Sequence, residues 1–265
     1  MTLNFQGYPS QHRWFDAPQQ ARLCFDQEGR LSVMGLNYVA LIPAKGHSLG
    51  VPRKNLQVVG DRTLLARAIE SALSVGRISS VVVSTDDSEI VDHALSLGAS
   101  VHMRNSDALS SDATAAEVVR DFFARQEKVS DRAPSPIIYL QPTSPFRTRY
   151  HVEEAIDAFE KSGAESLVSV CSAKQLPEKM VVLDGERIRV DPEVKPGHGT
   201  NRQDLPQRFY ANGAIYIFSE AEFSVRSEVP IDSALFFEMD ELASVDIDSP
   251  ADLEIARALA AHVGI

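Results

Sequence analysis

From Tyr38 onward the chain alternates short apolar runs with longer segments whose apolar residues recur every three or four positions. Tyr38–Ile42 is a continuous apolar run, which predicts a strand buried on both faces. Thr63–Val75 then sets Leu64, Leu65, Ala68, Ile69, Ala72 and Leu73 on one helical face, and Ser80–Ser84 returns to a β-branched run. Asp87–Leu97 repeats the helical spacing with Ile90, Val91, Ala94 and Leu95, with Gly98 as its stop. A strand at Val101–Met103, a helix at Ala113–Arg125, a strand at Ile137–Leu140, a helix at His151–Lys161 and a strand at Leu167–Cys171 continue the rhythm. Such alternation predicts an α/β fold with a mostly parallel sheet and helices on both faces.

The rhythm breaks over 173–210, which is rich in prolines and charges and holds a hairpin pattern around Asp184-Gly185. This excursion is suited to reach over a site or onto a second subunit. Strand patterns resume at Gly213–Phe218 and Ala243–Ile247, followed by a helix marked by Ser249 as N-cap, Pro250 at its first position and Asp252 completing a capping box. Residues 1–35 sustain no apolar period and read as an appendage of unknown role before a domain spanning 36–265.

The 265 residues carry 37 acidic and 26 basic side chains, and a formal charge of −11 argues against nucleic-acid or membrane-surface binding. An anionic substrate then needs a local basic pocket. Apolar runs fall short of the roughly 20 residues that span a bilayer, and Met1–Gly7 lacks a signal pattern, so a cytoplasmic protein is expected. The two cysteines, Cys24 and Cys171, have neither disulfide nor zinc spacing, and Cys171 reads as a small core residue at a strand end.

Candidate chemistry follows the predicted strands. After the first comes Leu41-Ile-Pro-Ala-Lys-Gly-His-Ser-Leu-Gly-Val-Pro-Arg-Lys-Asn55, whose glycines let backbone amides approach phosphates and whose cations offset their charge. It is neither a Walker loop nor a dinucleotide fingerprint. After the next strand, Ser84-Thr-Asp-Asp87 places Asp86 to touch metal or ribose and Asp87 to cap a helix.

Leu140-Gln-Pro-Thr-Ser-Pro-Phe-Arg147 is a proline-stiffened loop offering Gln141, Thr143 and Ser144 to a polyhydroxylated ligand; Arg147 can bond a carboxylate or cap a loop. Arg202–Tyr216 joins a basic, amide-rich loop to a strand, and Asn212-Gly213 reads equally as a plain turn or a binding element. In Ser244-Val-Asp-Ile-Asp248, strand alternation puts Asp246 and Asp248 on one face, about 6–7 Å apart. They suit Mg²⁺ or are solvated strand-end acids.

Together these motifs resemble the cytidylyltransferases that activate nine-carbon and eight-carbon α-keto acid sugars, the CMP-N-acetylneuraminate synthetase family. The resemblance runs from about Val39 to His262. It implies a Rossmann-like nucleotidyltransferase fold, CTP and Mg²⁺ as reactants, and a homodimer in which 173–210 helps cover the partner's site. It further implies that Lys45, Gly46, Ser48 and Lys54 hold the triphosphate, with Asn55, Arg104 and Asp86 also around the nucleotide. Asp246 and Asp248 would hold Mg²⁺ and, with Lys45 and Lys54, carry catalysis. Gln141, Thr143, Asn212 and Tyr216 would line the sugar pocket, and Lys179 and Arg202 would face a carboxylate or phosphates.

Two residues depart from that family's pattern: the loop's first cation, usually Arg in the sialate enzymes, is Lys45, and a Lys after the loop serine is replaced by Leu49. The Arg104–Asp112 loop is one residue longer than in those enzymes. Two further readings remain open at this stage. One keeps the reaction but uses GTP on a legionaminate-type sugar; the other is a nucleotide-binding relative that has lost catalysis.

Overall fold

A computed structural model describes residues 22–25, 31–34, 37–104, 113–125, 135–190 and 199–265, with the backbone alone at 22–25, 31–34 and 202. Inside the expected appendage, β1 (Arg22–Phe25) and β2 (Leu31–Met34) pair as an antiparallel hairpin separate from the main sheet. The domain then runs through β3 (Tyr38–Pro43), a small hairpin of β4 (Val58–Val59) and β5 (Arg62–Thr63), α1 (Leu64–Leu73), β6 (Ile78–Thr85), α2 (Ser88–Ser96) and β7 (Ser100–Met103). It continues with α3 (Ala115–Arg125), β8 (Ile137–Tyr139), α4 (Arg149–Ser162) and β9 (Ser166–Ser172). The excursion contains the hairpin β10 (Val181–Asp184) and β11 (Arg187–Val190); β12 (Phe209–Phe218), α5 (Glu220–Arg226), β13 (Leu235–Glu238) and α6 (Pro250–Val263) complete the chain.

Seven strands form one sheet in the order β13-β9-β12-β8-β3-β6-β7. All pairs are parallel except those of β12, which runs against both β8 and β9. The continuous apolar run of β3 explains its central place. Tyr38, Ala40 and Ile42 face a layer built by α1, α2 and α4, while Val39 and Leu41 face α3 and α5. Burial on both faces is what removes the period-two alternation from such a strand.

The helix starts follow local chemistry. Asp87 accepts hydrogen bonds from the amides of Glu89 (3.0 Å) and Ile90 (3.1 Å), so it caps α2 as expected. Ser249 and Asp252 form the expected capping box of α6, with Pro250 in its first turn. Cys171 is a buried free cysteine near the end of β9.

One expected strand is absent. Residues 243–247 join no ladder; the amide of Ile247 instead donates to the carbonyl of Thr143 at 3.0 Å. The sheet edge is taken by β13, which pairs with β9 and was not anticipated. Asp246 and Asp248 therefore sit on an extended loop and not on a strand face.

Candidate active site

The chain leaves β3 for β6 and β7 on one side and returns to place β8 on the other. A crevice opens beyond the carboxyl ends of β3 and β8, where ligands of open α/β sheets are expected. A cleft of about 330 Å³ lies there. It is lined by Lys45, Ser48, Lys54 and Asn55 from the loop after β3, Arg104 after β7, Tyr139, Gln141 and Thr143 at β8, and Asp246 and Asp248 before α6.

The loop after β3 is held in shape by its own polar groups. Asn55 Nδ2 donates to the carbonyl of Lys45 at 2.9 Å, and the amide of Gly46 donates to Asp86 Oδ1 at 2.8 Å. Asp86, expected to meet ribose or metal, thus braces the loop, and the Gly46 amide serves loop shape instead of pointing at a phosphate. Gly50 passes so close to the other wall that an added Cβ would lie 2.0 Å from the Asp248 carbonyl oxygen. Val51 anchors the loop in an apolar cluster with Phe146, Ile247 and Leu253.

Leu49 is 87% exposed on this loop. Arg53 does not replace the cation absent there. Its guanidinium bonds Asp87 Oδ2 at 2.6 Å and pairs with Glu89.

Across the cleft, Lys54 Nζ donates to the Ile247 carbonyl and to Asp248 Oδ1, both at 2.9 Å. The Lys54 side chain is 14% exposed and that of Asp248 76%. The α6 cap steadies this end, because Asp252 Oδ2 also accepts from the Asp248 amide at 3.1 Å. Desolvation raises the pKa of Asp246, and the negative charge of Asp248 adds to the rise; a bond from the Thr143 hydroxyl and the charge of Lys54 oppose it.

Among the described residues no group of three or more His, Cys, Asp and Glu is placed to hold a metal ion. Two carboxylates sharing a cleft, one raised in pKa partly by the other, nevertheless suit a cation that completes its shell with water and substrate phosphates.

Gln141 and Thr143 also line the cleft, Thr143 beside the acid loop that it bonds. Tyr216 stands beside the cleft, its ring edge-on to Tyr139 at 6.2 Å, and its pKa is raised by desolvation and then by the charge of Asp246. Asn212 does not line the cleft. It is a buried brace between strands and loop, accepting from Ser169 Oγ (2.6 Å) and the Ala214 amide (3.2 Å) and donating to Ser244 Oγ (2.8 Å). Lys179 is exposed on a short 3₁₀ turn of the excursion and is not among the cleft residues. The Arg202 side chain and residues 105–112 lie outside the described residues.

Tyr139 is a cleft residue that motif reading passed over; its signal is an aromatic ring at the end of a buried strand, two residues before Gln141. Of the two roles open to it in the sequence, Arg147 takes that of capping its loop and meets no carboxylate. Only 4% exposed, it donates from Nη1 to the carbonyls of Gln141 (2.8 Å) and Ala214 (2.9 Å), tying the cleft loop to β12. Burial pushes its pKa down to about 9, so it remains a cation at neutral pH. Arg147→Met leaves two buried acceptors without a donor and should lower unfolding free energy by about 2–4 kcal/mol, read by urea denaturation. An unchanged midpoint would show that the carbonyls find other donors.

A family described as Cytidylyltransferase matches residues 39–255. The N-acylneuraminate cytidylyltransferase A of Danio rerio is 31% identical over 218 residues, covering 82% of this chain and 49% of that protein. The CMP-N,N'-diacetyllegionaminic acid synthase of Legionella pneumophila is 30% identical over 229 residues, covering 84% of this chain and 96% of that protein. The chain spans about half the length of the N-acylneuraminate cytidylyltransferases it matches. In fold, it resembles a solved CMP:2-keto-3-deoxy-manno-octonic acid synthetase complexed with CTP, with a TM-score of 0.64, 18% identity and coverage of 86% and 99% of the two chains.

Proposed function

This chain belongs to the cytidylyltransferase family, and from that premise we propose that it transfers CMP from CTP to the anomeric hydroxyl of a nine-carbon α-keto acid sugar, releasing pyrophosphate. The observation that carries this reading is the convergence in one cleft of Lys45 and Lys54, Gln141 and Thr143, and Asp246 and Asp248, from three separate parts of the chain. The relatives named as acting on acylneuraminate and diacetyllegionaminate support the class of sugar.

The hydroxyl attacks the α-phosphorus as the bond to the pyrophosphate oxygen breaks. Such a transfer needs alignment and charge neutralisation more than covalent participation by the protein. Lys54 and Lys45 would offset charge on the triphosphate, and Ser48 would add a hydroxyl donor. Asn55 and Arg104 would border the nucleoside, and Gln141, Thr143 and Tyr216 the sugar. Asp246 and Asp248 would hold Mg²⁺, which when bound supplies positive charge to phosphate oxygens.

A homodimer is supported by the exposed apolar side chains of the excursion, Val181, Val182, Leu183, Ile188 and Val190, together with exposed Phe209 and Phe236. Light scattering at twice the chain mass is the expected result, and the chain mass alone would reject it. Among the described residues no helix is long and apolar enough to cross a membrane. The activity is tested by pyrophosphate release with CTP or GTP against a panel of neuraminate, legionaminate and pseudaminate sugars. CTP with one of these is the expected pair; faster turnover with GTP would change the nucleotide, and no turnover with any pair would reject the reaction.

A further inference from the structure

Behind Arg104 a line of buried and half-buried polar side chains leads away from the cleft. Arg104 is 8% exposed and turns two nitrogens onto one residue: Nε meets Ser84 Oγ and Nη2 meets the Ser84 carbonyl, each at 3.0 Å. Ser84, on β6, has no exposed surface, and its Oγ lies 3.0 Å from His102 Nδ1 on β7. An arginine can only donate, so Ser84 Oγ accepts from Nε; the same oxygen bonds His102 Nδ1, which accepts the serine hydrogen when the imidazole carries its own on Nε2.

In that tautomer the ring is neutral, and its Nε2 sits 3.3 Å from Asp121 Oδ2 on α3 without a hydrogen bond between them. Desolvation lowers the His102 pKa; Asp121 opposes this, and the charges of Arg125 and Arg104 assist it. Asp121 is in turn held by Arg125 at 2.9 Å, and Arg125 Nη1 donates to the Met103 carbonyl at 2.9 Å. Of this line only Arg104 borders the cleft; Ser84, His102 and Asp121 do not.

We propose that Ser84 and His102 are positioning residues for nucleotide binding: through the Ser84 hydroxyl, the acceptor at His102 Nδ1 orients the guanidinium of Arg104 at the cleft. The proposal rests on the reading of this cleft as a nucleotide site. Without the acceptor at Nδ1, the serine hydroxyl is free to rotate and Arg104 loses the partner that aligns its Nε. A long side chain released in this way must be ordered again each time a nucleotide binds.

Packing offers a competing account, since the His102 ring stands edge-on to Phe122 at 5.6 Å. Two substitutions separate them. His102→Phe keeps an aromatic ring against Phe122 and removes the acceptor. His102→Asn forfeits ring packing but sets a carboxamide oxygen near the position of Nδ1.

Dissociation constants for CTP are measured by calorimetry without sugar, beside melting temperatures. His102→Phe should weaken CTP about tenfold, the effect of losing one hydrogen-bond interaction. His102→Asn should stay within about threefold of the unmodified protein despite a lower melting temperature. Ser84→Ala, which removes one oxygen and both bonds, should match His102→Phe, with kcat at saturating CTP changed by less than about twofold.

Affinity that follows ring packing, with His102→Asn weaker than His102→Phe, overturns the proposal, as does unchanged affinity in Ser84→Ala. If His102→Phe does not fold, the Ser84→Ala result decides. An unmodified protein that binds neither CTP nor GTP would instead remove the nucleotide reading itself.

Discussion

Asp246→Asn should abolish turnover while leaving the protein at least as stable as before. The carboxylate stands in the cleft beside Asp248; the residue is exposed, yet the protein packed against its carboxyl group partly desolvates it, and this together with the charge of Asp248 raises its pKa. A group whose folded pKa exceeds its unfolded value binds its proton more tightly in the folded state. Its ionised form therefore weakens the fold at pH above the folded pKa, and the deficit is relieved as pH falls through that value. Asparagine removes the charge, keeps the shape and retains an oxygen for the Thr143 hydroxyl.

The catalytic loss should be roughly 10³-fold in kcat, the several kcal/mol by which a metal ion stabilises transferring phosphoryl charge. The checks are a pyrophosphate-release assay and a thermal melt on the same sample. Unchanged turnover would refute the cation-holding role. A large fall in melting temperature would reassign Asp246 to structure, with its cleft position incidental.

Lys54→Met should lower kcat/KM by about 10²- to 10³-fold, or about 3–4 kcal/mol at the transition state, because methionine keeps the stem and removes the charge proposed to face the triphosphate. Its effect on stability should be smaller. The lost ion pair ends on an Asp248 side chain that is 76% exposed, where solvent supports the carboxylate unaided. The lost bond to the Ile247 carbonyl adds about 1 kcal/mol. Steady-state kinetics beside urea denaturation separates the two effects. A loss confined to stability would make Lys54 a brace between the β3 loop and the acid loop.

The sheet was legible wherever one segment could bury itself by its own pattern. Tyr38–Pro43 announces a central strand by its unbroken apolar run, and Ser249, Pro250 and Asp252 announce α6 by local hydrogen bonds. The edge of the sheet was not legible. Leu235–Glu238 alternates in burial and Ala243–Ile247 sets apolar residues at every second position, and period two cannot say which one finds a neighbour's free backbone groups. The first pairs with β9, and the second is drawn to Thr143.

Residue roles divided along the same line. The loop after β3, Gln141, Thr143 and the two acids announced a polar site because glycines, prolines, cations and carboxylates are unusual immediately after buried strands. Asn212 carries the same polar signal and is instead a buried brace, while Asp86 holds the loop amide of Gly46. A side chain's type states which bonds it can form and leaves open where its partners lie.

By itself, the sequence determined what depends on a few neighbouring residues: the βα rhythm, the helix caps, the composition of each loop and the family they resemble. Tertiary structure alone decided which loops share a cleft, that Lys54 meets a carboxylate 194 positions away, that Arg53 is already paired, and that Arg104 is backed by Ser84 and His102. The reason is physical. Helical and strand periods arise from local backbone geometry, whereas partners distant in the chain are set by the order of strands across the whole sheet.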